Sequence, residues 1–178
     1  MSLDSRNDLT VQIRSEDSRN QDDRSAIRAV NAAAFGRNDE ADLVDQLRAG
    51  EYALVSLVAL FDGAIAGHIL FSRMWIKAGS GLISAVALAP VAVAPEHQRK
   101  GVGGLLIERG LAILRDRGER IVIVVGHADY YPRFGFSREK AKLIESPFPP
   151  AAFMALELRD GALEGVAGSV VYPPPFGI

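Results

Sequence analysis

Apolar positions recur at helical spacing twice in the first third of the chain and then give way to β-rich runs. Ile27, Val30, Ala34 and Phe35 form one stripe, with Asp22 and Asp23 as caps and Gly36 as the stop. Asn38 or Asp39 opens a second helix that carries Leu43, Val44 and Leu47 on one face and ends at Gly50. A short strand over 10–14 precedes both, and β-rich runs over 53–61 and 64–76 follow. Asp62-Gly63 between those runs is a hairpin signal.

Residues 84–93 form the next strand, and its phase slips. Val86 and Leu88 share one parity, whereas Val91 and Val93 have the other. Side chains alternate faces with period two, so the slip predicts an inserted residue, a β-bulge at Ala89-Pro90. Pro90 cannot donate to a sheet ladder, which agrees with a bulge there. The alternative is a strand buried on both faces, where phase carries little information. Residues 98–118 read as a turn and a long helix with Val102, Leu106, Ile107, Leu111, Ile113 and Leu114 on its apolar side. An unbroken β-branched strand over 121–125 follows, then a short turn or helix around Tyr130 and further strands at 153–158 and 169–172. The Pro-rich segment 146–150 is expected to cross a sheet edge. Intermixed helices and strands give an α/β or α+β class with a mixed sheet.

The 178 residues suit one domain over 1–178, with a flexible N-terminus at 1–8 and a C-terminal extension at 161–178. At 48% hydrophobic and 24% charged residues the chain is globular in composition rather than disordered. Twenty basic residues against 22 acidic ones leave no excess for coating nucleic acid. The lack of cysteine removes disulfide, thiolate and Cys-based metal chemistry. The longest uncharged run, 78–95, is interrupted by Gly79, Gly81, Pro90 and Pro95, so no membrane segment is expected, nor a signal peptide. A soluble, cytoplasmic protein is the expectation.

The stretch that bears on chemistry runs from Val91 through Ala92, Val93, Ala94-Pro95-Glu96-His97, Gln98-Arg99-Lys100-Gly101, to Val102-Gly103-Gly104. Strand, tight turn and helix start arrive in that order. The glycines clear side chains from a place where backbone approaches a ligand, and a helix N-terminus offers unpaired N–H groups that suit phosphate. Arg99 and Lys100 add positive charge. Neither common nucleotide fingerprint fits: no Gly-Lys-Ser/Thr is present, and Leu106 stands where the dinucleotide motif requires glycine. A pyrophosphate-binding turn and a helix start chosen for packing are the readings that stay open.

Gln98-Arg99-Lys100-Gly101-Val102-Gly103, after a strand ending in Val93-Ala94-Pro95, resembles the signature of the Gcn5-related N-acetyltransferase (GNAT) superfamily. Tyr131-Pro132-Arg133-Phe134-Gly135-Phe136 matches its downstream Tyr-x-x-x-Gly-Phe block, one helix and one strand later. Gly67-His68-Ile69-Leu70-Phe71-Ser72, Tyr130 beside Tyr131, and Phe153-Met154-Ala155-Leu156-Glu157-Leu158 are similar to the bacterial YhbS-like group. The resemblance implies a mixed, mostly antiparallel twisted sheet of about seven strands, flanked by helices and splayed between the fourth and fifth. It implies acetyl-CoA as acyl donor, without a metal, and a small-molecule or peptide amine as acceptor. Val91 and Val93 would then pair with the pantetheine arm, and 98–104 would hold the pyrophosphate. A backbone amide near Val91 or Ala92 would polarise the thioester.

By the same resemblance Tyr131 is the general acid to the departing thiolate, with Tyr130 as its rival. A phenol near 10 and a thiol near 8.5 (about, in model peptides) make that donation modest in energy. An alkylamine is almost wholly protonated at neutral pH, so a base is expected. His127 is the first candidate, followed by Glu40, Glu145, Glu157 or a water relay. His68 reads as a core or cleft-wall residue and His97 as exposed in the turn; three scattered histidines argue against metal. One departure is the lack of Asn between Ile121 and Tyr131, where many family members carry one. Rival readings are a non-catalytic acyl-CoA-binding module and a nucleotide-binding regulatory domain.

Overall fold

The computed structural model describes residues 10–79 and 81–178, so the expectation for 1–8 lies outside the described residues. Strand β1 (Gln12–Ser15) leads into helices α1 (Gln21–Phe35) and α2 (Asp39–Ala49). Then come β2 (Ala53–Phe61), β3 (Ala64–Ala78), β4 (Gly81–Val93) and α3 (Val102–Asp116). The chain continues through β5 (Ile121–Val125), α4 (Arg138–Ala141), β6 (Ile144–Glu145), β7 (Phe153–Glu157) and β8 (Gly168–Val171). The sheet order is β1-β2-β3-β4-β5-β7, with β8 against the far half of β3 and β6 against β8. Only β4–β5 and β6–β8 are parallel among the described pairs. This is the mixed, mostly antiparallel architecture expected. Eight strands stand among the described residues where about seven were expected, because two-residue β6 is too short to carry a readable period.

Local sequence accounts for most element ends. Asp62 and Gly63 turn with φ of 48° and 80°, the left-handed pair that a two-residue hairpin needs. Gly36, at φ 69°, returns its N–H to Ala32 and closes α1. The start of α1 differs from expectation. Asn20, not an aspartate, is the cap, its Oδ1 accepting from the Asp22 N–H at 2.8 Å. Asp23 is instead buried in the first turn, paired with both Arg14 amino groups at 2.7 Å and accepting from the Asp17 N–H at 2.9 Å. Phe35 lies off the apolar stripe, 40% exposed, at the last residue of the helix.

The expected bulge is present. Ile69 pairs with Val91 and Phe71 with Leu88, so one residue of β3, Leu70, opposes two of β4, Ala89 and Pro90. The extra residue keeps Val86, Leu88, Val91 and Val93 against one hydrophobic cluster, under α3, despite their change of parity. Val102, Leu106, Ile107, Leu111 and Leu114 of α3 complete that layer. On the other face, Ile27, Val44 and Leu47 of α1 and α2 cover Val58 and Leu70. Residues 161–178 supply β8 and Phe176, which packs against both clusters of that face.

Candidate functional site

Strands β4 and β5 pair only through Val86–Val122 and Ala87–Ile123, although β4 runs on to Val93 and β5 to Val125. Past the bulge, therefore, β4 has an unpaired edge. The Ala94 N–H donates to Ala66 on the β3 side, and peptide groups alternate sides along a strand. Val91 and Val93 accordingly present their backbone groups to the open side. Gln98 Nε2 already donates to the Val93 carbonyl at 2.9 Å, tying the following turn to this edge.

The turn from β4 to α3 places Arg99 at φ 59° and Gly101 at φ 83°. A left-handed arginine is strained backbone of the kind that clusters at ligand sites. Gly101 caps α3 without a side chain, and the first intrahelical bond runs from the Leu105 N–H to the Gly101 carbonyl. The N–H groups of Val102, Gly103 and Gly104 thus lack helical acceptors and gather at the positive end of the helix dipole. An added Cβ on Gly103 would meet Tyr130 Oη at 3.3 Å and methyls of Val91 and Val93 at 3.8 and 3.9 Å. The bare backbone of Gly103 leaves room for a ligand where these groups converge.

These parts share one cavity of about 910 Å³, whose walls include Val91, Val93, Gln98, Arg99 and 101–105 on one side and His127, Tyr130, Tyr131, Arg133 and Phe134 on the other. Its size and mixed lining suit a small-molecule ligand. The free helix N–H groups and nearby cations suit an anionic one.

An acetyltransferase (GNAT) domain model matches residues 17–138. The chain belongs to the GNAT acetyltransferase family. The Escherichia coli protein YhbS, named an uncharacterized N-acetyltransferase, is 31% identical over 86% of this chain and 93% of its own. Its crystal structure in complex with CoA superposes with a TM-score of 0.85 over 96% of this chain and 93% of that one. A GNAT acetyltransferase from Brucella melitensis in complex with acetyl-CoA is 35% identical, with a TM-score of 0.77 over 94% and 99%. Escherichia coli YjhQ, also named an uncharacterized N-acetyltransferase, is 48% identical over 116 residues, and the chain spans 64% of its length.

Of the residues singled out for this family's cofactor, Val91, Val93, Gln98, Arg99, Gly101, Val102, Gly103 and Gly104 line the cavity. Two do not. Ala92 is buried and its side chain points to the other face, leaving only its backbone near the site. Lys100 is exposed and donates its Nζ to the Glu96 carbonyl at 2.9 Å, outside the lining. His97 was expected to be exposed but is half-buried, its ring stacked on Phe61 at 4.0 Å along the cavity wall.

Tyr131 packs edge-on against Phe136, and a Cβ on Gly126 would collide with its ring. Burial pushes its hydroxyl up to about 12, with Tyr130 adding to the shift. Among the base candidates, His127 lies at the exposed mouth of the cavity. Glu40 and Glu157 are held by Arg37 and Lys140, which lower both carboxyls, and neither lines the cavity. Glu145 faces a separate pocket beside Phe148 and Phe153.

His68 is fully buried on the opposite side of the sheet, as a core histidine. Asn31 Nδ2 lies 3.1 Å from its Nδ1 and Ser56 Oγ 2.9 Å from its Nε2; Ser56 in turn donates to Glu16, which pairs with Arg48. Since the Ser56 proton goes to Glu16 and the Asn31 amide donates, His68 is neutral with its proton on Nε2. Burial drives its pKa down to about 3. The sequence reading did not anticipate this network, because its five members come from five separate segments. No group of three or more potential metal-ligating His, Cys, Asp or Glu residues occurs among the described residues.

Proposed function

We propose that the protein transfers an acetyl group from acetyl-CoA to a primary amine by direct attack. What supports this most is the single cavity that holds an unpaired β4 edge, three free helix N–H groups and a half-buried tyrosine. Bound acetyl-CoA supplies an activated thioester. The backbone of Val91 and Val93 orients the pantetheine arm, and the N–H groups of Val102, Gly103 and Gly104 hold the diphosphate. The Val91 N–H, on the open side of β4, donates to the thioester oxygen as it becomes anionic, whereas the Ala92 N–H faces β3.

The amine nitrogen bonds to the acyl carbon, the C–S bond breaks, the amine loses a proton and the sulfur gains one. Tyr131 serves the sulfur. With its hydroxyl near 12 it stays protonated throughout the useful pH range. Donation to a free thiolate near 8.5 would be uphill by roughly 5 kcal/mol, but a thiolate formed in the same buried cleft is desolvated too, and its proton affinity rises. Tyr131 therefore begins as a hydrogen-bond donor and yields its proton as sulfur departs. His127 takes the amine's proton at the mouth.

Thiol release from acetyl-CoA over a panel of primary amines tests the reading. Tyr131→Phe should lower kcat on the order of 10²–10⁴-fold with little change in CoA affinity. Wild-type kcat should show no alkaline fall from Tyr131 below about pH 11, given its raised hydroxyl. Failure of the wild type to release thiol with any amine, while still binding CoA, would favour the non-catalytic binding module.

A further inference from the structure

We infer that Tyr130, not only the glycine turn, binds the cofactor's diphosphate: its hydroxyl is a side-chain donor set beside the free N–H groups of α3. This rests on the reading that the cavity takes CoA. Tyr130 Oη is the nearest atom to an added Cβ on Gly103, at 3.3 Å, and is 4.0 Å from one on Gly104. It thus stands over the first turn of α3, where Val102, Gly103 and Gly104 have unpaired donors. No hydrogen bond involves this hydroxyl among the described residues, so its proton is available to a ligand.

The ring that carries the hydroxyl is held from three sides. Tyr131 and Phe134 meet it edge-on at 5.1 and 5.3 Å, and the Arg133 guanidinium lies over it at 4.5 Å. Arg133 is itself anchored to the Tyr130 carbonyl through Nε at 2.9 Å. Both residues line the cavity. Partial burial raises the Tyr130 hydroxyl above its ordinary value, Arg133 lowers it and Glu108, also on the cavity wall, raises it, so it is a donor and not a phenolate at neutral pH. A neutral donor backed by a cation, at the positive end of a helix, matches the anionic diphosphate better than the neutral amide carbonyls of the pantetheine arm. The two adjacent tyrosines then divide the work, Tyr130 on binding and Tyr131 on the leaving sulfur.

The test is the dissociation constant of Tyr130→Phe for CoA, 3′-dephospho-CoA and ADP, which keeps the diphosphate and lacks the arm. The ring and its packing survive in phenylalanine, and the melting temperature of the free variant checks that. Loss of a hydrogen bond to a charged group should weaken all three ligands by a similar factor, on the order of tenfold to a hundredfold. Tyr131→Phe should bind all three as the wild type does. A loss with CoA but not with dephospho-CoA would move the contact to the 3′-phosphate and overturn the assignment; a loss with CoA but not with ADP would move it to the arm, with the same consequence. Unchanged binding of all three refutes it as well. If the wild type binds none of them, the cofactor reading itself falls, an outcome distinct from an inert Tyr130.

Discussion

Replacing Gly103 with alanine should separate stability from cofactor binding, because the two respond in opposite directions. Gly103 lies in the first turn of α3 and is not among the positive-φ glycines, so alanine suits its backbone. The exchange stabilises a helix by up to about 1 kcal/mol, or roughly 2–4 °C in a chain of this size. The new methyl meets Tyr130 Oη at 3.3 Å and the Val91 and Val93 methyls at 3.8 and 3.9 Å, which the free protein tolerates with a small movement of Tyr130. It also fills the point where the diphosphate must approach. Overpacking of that kind costs about 1–3 kcal/mol, roughly tenfold to a hundredfold in Kd. CoA at 100 times the wild-type Kd should stabilise the wild type by about 2.7 kcal/mol, or roughly 5–11 °C. At that concentration a tenfold weaker variant keeps about 1.4 kcal/mol, and a hundredfold weaker one about 0.4 kcal/mol. Thermal melts of both proteins with and without CoA measure all four quantities. A variant as stable as the wild type, with an undiminished CoA shift, would refute the placement of the diphosphate at Gly103. Gly103→Asp is the sterner form: its carboxylate suits a helix N-terminus but repels a diphosphate, and the CoA shift should vanish.

Two further outcomes follow from buried groups. His68, near 3 in the folded protein against about 6.5 unfolded, stays neutral while the unfolded chain takes up a proton, so its contribution is present above pH 6.5 and is lost as pH falls toward 3. Urea unfolding should show about 2–3 kcal/mol lost from this source between pH 6.5 and 4.5; a His68→Gln variant with the same pH slope would contradict it. Gly110→Ala should destabilise despite its better helix propensity, because its Cβ would collide with the fully buried Phe71 ring. A net loss of about 1–2 kcal/mol is expected, read as a lower melting temperature, with recovery in the Gly110→Ala/Phe71→Leu double variant.

The local sequence determined those features whose physics is local. β-rich composition located β2 and β3, and Asp62-Gly63 specified their hairpin through left-handed backbone. The parity slip between Val86/Leu88 and Val91/Val93 revealed the bulge, because a strand over one apolar layer can change phase only by inserting a residue. The phosphate turn was legible for the same reason: glycines at a helix start answer to backbone geometry a few residues away. Side-chain destinations were not legible where several neighbours competed. Lys100 reads as a phosphate ligand from its position, but the nearby Glu96 carbonyl takes its ammonium. His97 reads as an exposed turn residue, but Phe61, at the end of a strand 36 positions earlier in the chain, offers it an aromatic face.

Only the tertiary structure decided how the two adjacent tyrosines differ. In the sequence they share one environment, and the family motif marks Tyr131 alone. In the fold, the backbone turn after β5 sends one ring against Gly126 and Phe136 and the other over Gly103 on α3. The same holds for Asn31, Glu16, Arg48 and Ser56 around His68, which no spacing rule connects. Such assignments depend on which strands and helices pack together, an outcome of the whole buried surface rather than of any local run of residues.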